Sequence, residues 1–190
     1  MDAAYWAPFV RAVCDRHGLQ PANEIRAGHV PGTYPVFIVD GRWVVKFFGT
    51  QFNGQRTFSV ELEFNQLLSA TPAVPSPVLV AHGHLLEGGE GCRWPYLVFE
   101  FMRERSLGEV RGQLSSQERT EIARTVGAIV RRLHSIDLCD TAVLRPTWDS
   151  YYEMLRGQSV DCAARHRDWH SLPEHLIGQI DDFLPSPEEL

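Results

Sequence analysis

The sequence contains no basic run, and its 190 residues carry a formal net charge of −6. A nucleic-acid partner is therefore not expected, because no electrostatic footprint for a phosphate backbone is present. No apolar run approaches the length of a membrane span, and the N-terminus lacks the basic start and apolar centre of a signal peptide, so no membrane partner is expected either. Cys14, Cys92, Cys139 and Cys162 are scattered, without the close pairs that zinc or redox chemistry needs. They read as free thiols of a reducing cytoplasm. There is no internal repeat, no low-complexity tract and no G-x-G-x-x-G. What remains is 44% hydrophobic and 22% charged, enough for a core in one large domain or two small lobes.

The most informative stretch runs from Val36 to Glu63. Val36-Phe37-Ile38-Val39 and Arg42-Trp43-Val44-Val45-Lys46-Phe47-Phe48 flank Asp40-Gly41, which predicts a hairpin, since glycine accepts the positive φ of a tight turn. Lys46 lies inside the more apolar strand, where an ammonium requires a partner. The following segment, about Gln55 to Ala70, has a helical pattern and offers two carboxylates, Glu61 and Glu63. A strand lysine answered by a helix glutamate is the layout of a kinase-type ATP lobe, in which the lysine holds the α/β-phosphates. A lysine with its stem on the sheet and its head in solvent is the plainer alternative.

Elsewhere, Asp2 to His17 predicts an amphipathic helix with Tyr5, Trp6, Phe9, Val10 and Val13 on one face, and Gly18 placed to end it. The Gly28–Thr33 loop, with Gly28 and Gly32, could lay backbone N–H groups over phosphates; an ordinary turn fits it as well. Thr71 to Pro77 must break the helix before it. Val78–Ala81 and Trp94–Phe101 read as strands, separated by the glycine-rich Glu87–Gly91 segment. Ser115 and Glu118 form a capping-box pattern opening a helix to about His134. Tyr151–Arg156 and Glu174–Phe183 are further helical segments.

These landmarks, taken in order, resemble the aminoglycoside phosphotransferase family, related to choline kinases and protein kinases. Val60-Glu61-Leu62-Glu63 is similar to the family's Val-Glu-Arg-Glu segment, a match that makes Glu63, not Glu61, the partner of Lys46. Val74-Pro75-Ser76-Pro77-Val78-Leu79 and Leu133-His134-Ser135-Ile136-Asp137 resemble two further family segments, over roughly residues 20 to 140. The resemblance implies an α/β (α+β), protein-kinase-like fold: a mostly antiparallel ATP-binding lobe over 1–101 with a flanking helix, then the start of a helical lobe over 102–190. It implies ATP and Mg²⁺ as cofactors and transfer of the γ-phosphate to a hydroxyl of a small-molecule acceptor. By the same resemblance Lys46 and Glu63 serve the phosphates, Gly28, Gly32 and Thr33 cover them, and the backbone of Glu100 and Met102 meets adenine.

Phosphoryl transfer also needs an aspartate at the acceptor hydroxyl, and an asparagine and second aspartate on Mg²⁺. The family carries the first in a His-Gly-Asp segment, which this sequence lacks, so the base and Mg²⁺ ligands are expected beyond Leu190 and the 190-residue chain alone is expected to be inactive. His166-Arg167-Asp168 and Asp182-Phe183-Leu184 imitate kinase motifs, but the position five residues after Asp168 is Pro173, and Leu184 replaces a glycine. Asp168 reads as a surface charge. His166 and His170, spaced i, i+4, have no third ligand, and His82-Gly83-His84 is too little for a metal site. A non-catalytic nucleotide-binding or protein-interaction module is the alternative. An incomplete second lobe should expose apolar surface on the Ser116–His134 helix, which a completing chain or a dimer would cover.

Overall fold

The Asp40-Gly41 turn sets the register of the sheet. Both residues have positive φ, 50° and 57°, and Arg42 N–H closes the turn on Val39 O at 2.9 Å. That is a type I′ turn, whose twist matches that of paired strands. It joins β2 (Val36–Val39) to β3 (Trp43–Phe47) with Val36 opposite Lys46. The Asp40 carboxylate also accepts from the N–H groups of Glu24 and Asn23, at 2.7 and 3.1 Å, fixing the entry to β1 (Ile25–Ala27).

The computed structural model describes residues 2–19, 22–28, 32–50, 53–85, 94–103, 105–144 and 147–183. Backbone contacts divide the chain into two compact units, Met1–Leu144 and Arg145–Leu190. The first holds a five-stranded antiparallel sheet in the order β1-β2-β3-β5-β4, completed by β4 (Leu79–Leu85) and β5 (Trp94–Glu100). β4 runs beyond the expected Val78–Ala81 because His82, Gly83 and His84 pair with Leu97, Tyr96 and Pro95 instead of turning. Gly83 is required there: a Cβ would stand 2.6 Å from the Tyr96 hydroxyl, whose ring covers it.

Strand alternation sends the side chains to two cores. Phe37, Val39, Val45, Phe47, Tyr96 and Val98 pack with α1 (Ala3–Arg16). Phe48, Leu97 and Phe99 pack with Phe58 of α2 (Gly54–Ser69). α1 buries Val10, Val13 and Cys14, whereas Tyr5, expected on the same face, is 65% exposed at its edge. The helix passes through Pro8 and ends at Gly18 (φ 66°). There Leu19 N–H reaches Cys14 O at 2.9 Å and Gly18 N–H reaches Asp15 O at 3.3 Å, a Schellman ending.

After β5 come α3 (Leu107–Val110), a 3₁₀ turn (Arg111–Gln113) and α4 (Ser116–His134). The capping box forms as expected: Ser115 N–H donates to Glu118 at 2.8 Å and Glu118 N–H to Ser115 Oγ at 3.2 Å. The Ser115 hydroxyl, which donates to Glu118 Oε2 at 2.7 Å, and then the Ser115 N–H hold the Glu118 carboxyl below its usual range. α4 has no buried residue, and its Val126 and Val130 are exposed. Arg132 and residues 142–144 bind back to the α2 region.

The second unit contains α5 (Trp148–Asp168), α6 (Glu174–Ile177) and α7 (Ile180–Phe183). α5 extends the expected Tyr151–Arg156 helix in both directions from a Thr147 cap. The helix expected over Glu174–Phe183 is interrupted at Gly178-Gln179. Asp168 is exposed at the end of α5, and His170 lies past it with φ 50°, off the helical face of His166.

Candidate nucleotide-binding site

Lys46 sits between Val44 and Phe48, and alternation sends all three to the α2 side of the sheet. Its Nζ lies 2.6 Å from Glu61 Oε2, with the two side chains 23% and 26% exposed. The ammonium also stands 5.0 Å from the Phe48 ring centroid and 5.8 Å from that of Tyr34. Tyr34 is tied to the start of α2, its hydroxyl donating to Thr57 Oγ1 at 3.1 Å. Glu61 occupies one of the three N–H donors of the ammonium; the others remain for an anion that approaches the solvent-exposed part of the side chain.

Glu61, not Glu63, is therefore the partner of Lys46, which corrects the expectation drawn from the family segment. The reason is helical phase. Phe58, Asn65 and Leu68 are the buried residues along the body of α2, and Glu61 follows Phe58 by three and precedes Asn65 by four, on the same stripe. Glu63 is about 200° away round the helix. Its carboxylate instead accepts from the backbone N–H groups of Ala142, Val143 and Leu144, the last two at 2.7 Å.

The connection that delivers α2 is unusually close. Asn53 is left-handed (φ 55°), and a Cβ on Gly54 would stand 1.7 Å from Gly49 O, so only glycine allows this entry to the helix.

In the loop expected to cover phosphates, Gly28 N–H is already bonded to Val36 O at 2.9 Å. Gly32 and Thr33 are exposed, and His29, Val30 and Pro31 lie outside the described residues. At the end of β5, Glu100 N–H donates to Val78 O at 3.0 Å and Phe101 N–H to Arg42 O at 2.7 Å. Any contact from Glu100 to a base thus falls to its carbonyl. Met102 is 55% exposed. Among the described residues no three His, Cys, Asp or Glu side chains converge to hold a metal ion.

Two signals for this site were in the sequence. One is the Phe58/Glu61/Asn65/Leu68 stripe. The other is composition: Lys46 is the only lysine, every other basic side chain of the Lys/Arg class being arginine.

The sheet lysine ion-paired to the flanking helix belongs to a kinase-like fold. The APH model, described as the phosphotransferase enzyme family, matches residues 22–188, and the chain belongs to that family. Solved aminoglycoside phosphotransferases share the fold. The chain is similar to APH(2")-IIa in its ternary complex with streptomycin and ATP, at TM-score 0.55 and 15% identity over 92% of this chain and 55% of that one. It is similar to wild-type aminoglycoside 2'-phosphotransferase-IIIa in its GDP complex, at TM-score 0.63 and 14% identity over 97% and 60%. ADP-bound APH(2")-Ib matches at TM-score 0.56 and 16% identity over 92% and 55%. The chain thus spans little more than half the length of these relatives. Among the described residues no helix is long and apolar enough to cross a membrane.

Proposed function

We propose that this chain supplies the nucleotide-binding machinery of an ATP-dependent phosphotransferase that moves the γ-phosphate to a hydroxyl of a small molecule. The observation that carries the reading is the Lys46–Glu61 ion pair, a half-buried cation held at 2.6 Å between β3 and α2. Lys46 binds the α/β-phosphates, Glu61 orients it, Gly32 and Thr33 lie over the phosphates, and Glu100 and Met102 meet adenine through the backbone. Glu63 acts on the site indirectly. Mg²⁺ accompanies the nucleotide, and the acceptor-activating aspartate is assigned to no residue of this chain. Free thiols at Cys14, Cys139 and Cys162 support a cytoplasmic location.

The test is calorimetric titration with Mg-ATP, with turnover followed in the same samples. Lys46→Ala is expected to cost about 1.5–3 kcal/mol of binding, the range for hydrogen bonds to charged groups. Unchanged affinity would sink the assignment of Lys46. Binding without turnover would identify a nucleotide-binding module, and turnover would require an acceptor-activating carboxylate within the chain.

A further inference from the structure

The two carboxylates of α2 hold it from opposite sides. Glu61 reaches across to Lys46. Glu63 grips three consecutive backbone N–H groups, those of Ala142, Val143 and Leu144, with charge-assisted hydrogen bonds. A row of N–H groups converging on one anion is a nest, here filled by a side chain of the protein itself. The gripped segment is internally ordered: Thr141 is buried, and its hydroxyl bonds to Leu138 O at 2.7 Å and to Leu144 O. A second tie lies beyond the end of α2, where Arg132 Nη1 of α4 donates to Ala73 O at 2.7 Å. A rotation of α2 that withdraws Glu61 from Lys46 must also pull Glu63 off this segment.

We propose that Glu63 is a positioning residue: by gripping residues 142–144 it fixes the rotation of α2 and holds Glu61 on Lys46, coupling the segment after α4 to the phosphate-binding lysine. Its functional consequence rests on the nucleotide reading above; the mechanical coupling does not.

Because Lys46 is the only lysine, the coupling can be read without nucleotide. The intact chain is treated with an N-hydroxysuccinimide ester, and acylation of Lys46 is followed by mass spectrometry against the terminal amine as internal reference. Glu61→Gln frees the ammonium and sets the upper rate. Glu63→Gln should raise the rate roughly two- to thirtyfold, the range for mutations along coupled networks. Thr141→Val, which loosens the gripped segment without touching α2, should move it in the same direction. The Glu61→Gln/Glu63→Gln double variant should react no faster than Glu61→Gln alone. Gly83→Ala, destabilising on the other face of the sheet, should lower the melting temperature and leave the rate unchanged. Wild-type rates in Glu63→Gln and Thr141→Val, with Glu61→Gln raised, would overturn the proposal. If circular dichroism shows Glu63→Gln unfolded, Thr141→Val decides. Mg-ATP titration of the wild type in parallel separates the two ideas: a chain that shows the coupling yet binds no ATP refutes only the nucleotide reading.

Discussion

At the scale of single residues, the site depends on contacts measured in tenths of an ångström. Breaking one side of the Lys46–Glu61 pair leaves a partly desolvated charge, so Glu61→Gln should weaken Mg-ATP binding more than Glu63→Gln. Equal losses in the two variants would argue against direct pairing of Glu61 with the lysine. Gly54→Ala forces a methyl onto the Gly49 carbonyl, and overpacking of this kind costs about 1–3 kcal/mol. A urea midpoint lowered at constant slope is the expected result; an unchanged midpoint would mean that the connection moves aside freely. Cys14 is fully buried, and burial, then Asp15 and Asp40, push its thiol up to about 11. It should resist alkylation until the protein unfolds, whereas the exposed Cys139 reacts in the native state.

At the scale of elements, α1 is tied to the sheet by polar as well as apolar contacts. His17 Nε2 is 2.9 Å from the Tyr96 hydroxyl, and Arg16 donates to His84 O at 2.5 Å. Burial, then Arg16 and His82, lower the pKa of His17 from its usual 6.5. Above 6.5 the ring is neutral in both folded and unfolded chains and adds no pH dependence. As pH falls through that value the unfolded chain takes up the proton first, so stability declines towards the lower folded pKa. Urea midpoints should therefore drop as the pH is lowered through 6.5, and His17→Gln should reduce that drop. An identical drop in the variant would assign the effect to other groups.

At the scale of the molecule, both hydrophobic clusters and the Lys46–Glu61–Glu63 arrangement lie within Met1–Leu144. Residues 1–144 expressed alone should unfold cooperatively and keep the Mg-ATP affinity of the whole chain. Loss of binding with folding intact would show that 145–190 contributes to the site.

The sequence by itself determined the local grammar. The hairpin follows from Asp-Gly between two apolar runs, the end of α1 from Gly18, the start of α4 from Ser115 and Glu118, and the need of Lys46 for a carboxylate from its apolar strand. Each is decided by neighbours within a few residues, where φ preference, capping and period dominate. Only the tertiary structure decided which carboxylate answers Lys46. Glu61 and Glu63 are the same residue type and nearly equally distant along the chain, so choosing between them requires the rotation of α2 against the sheet. That rotation is fixed by packing of Phe58, Asn65 and Leu68 on one side and by the grip of Glu63 on residues some 80 positions away on the other. The extension of β4 through His82-Gly83-His84 is of the same kind: those residues become strand because Tyr96 lies opposite to cover the glycine, a partner no local pattern could supply.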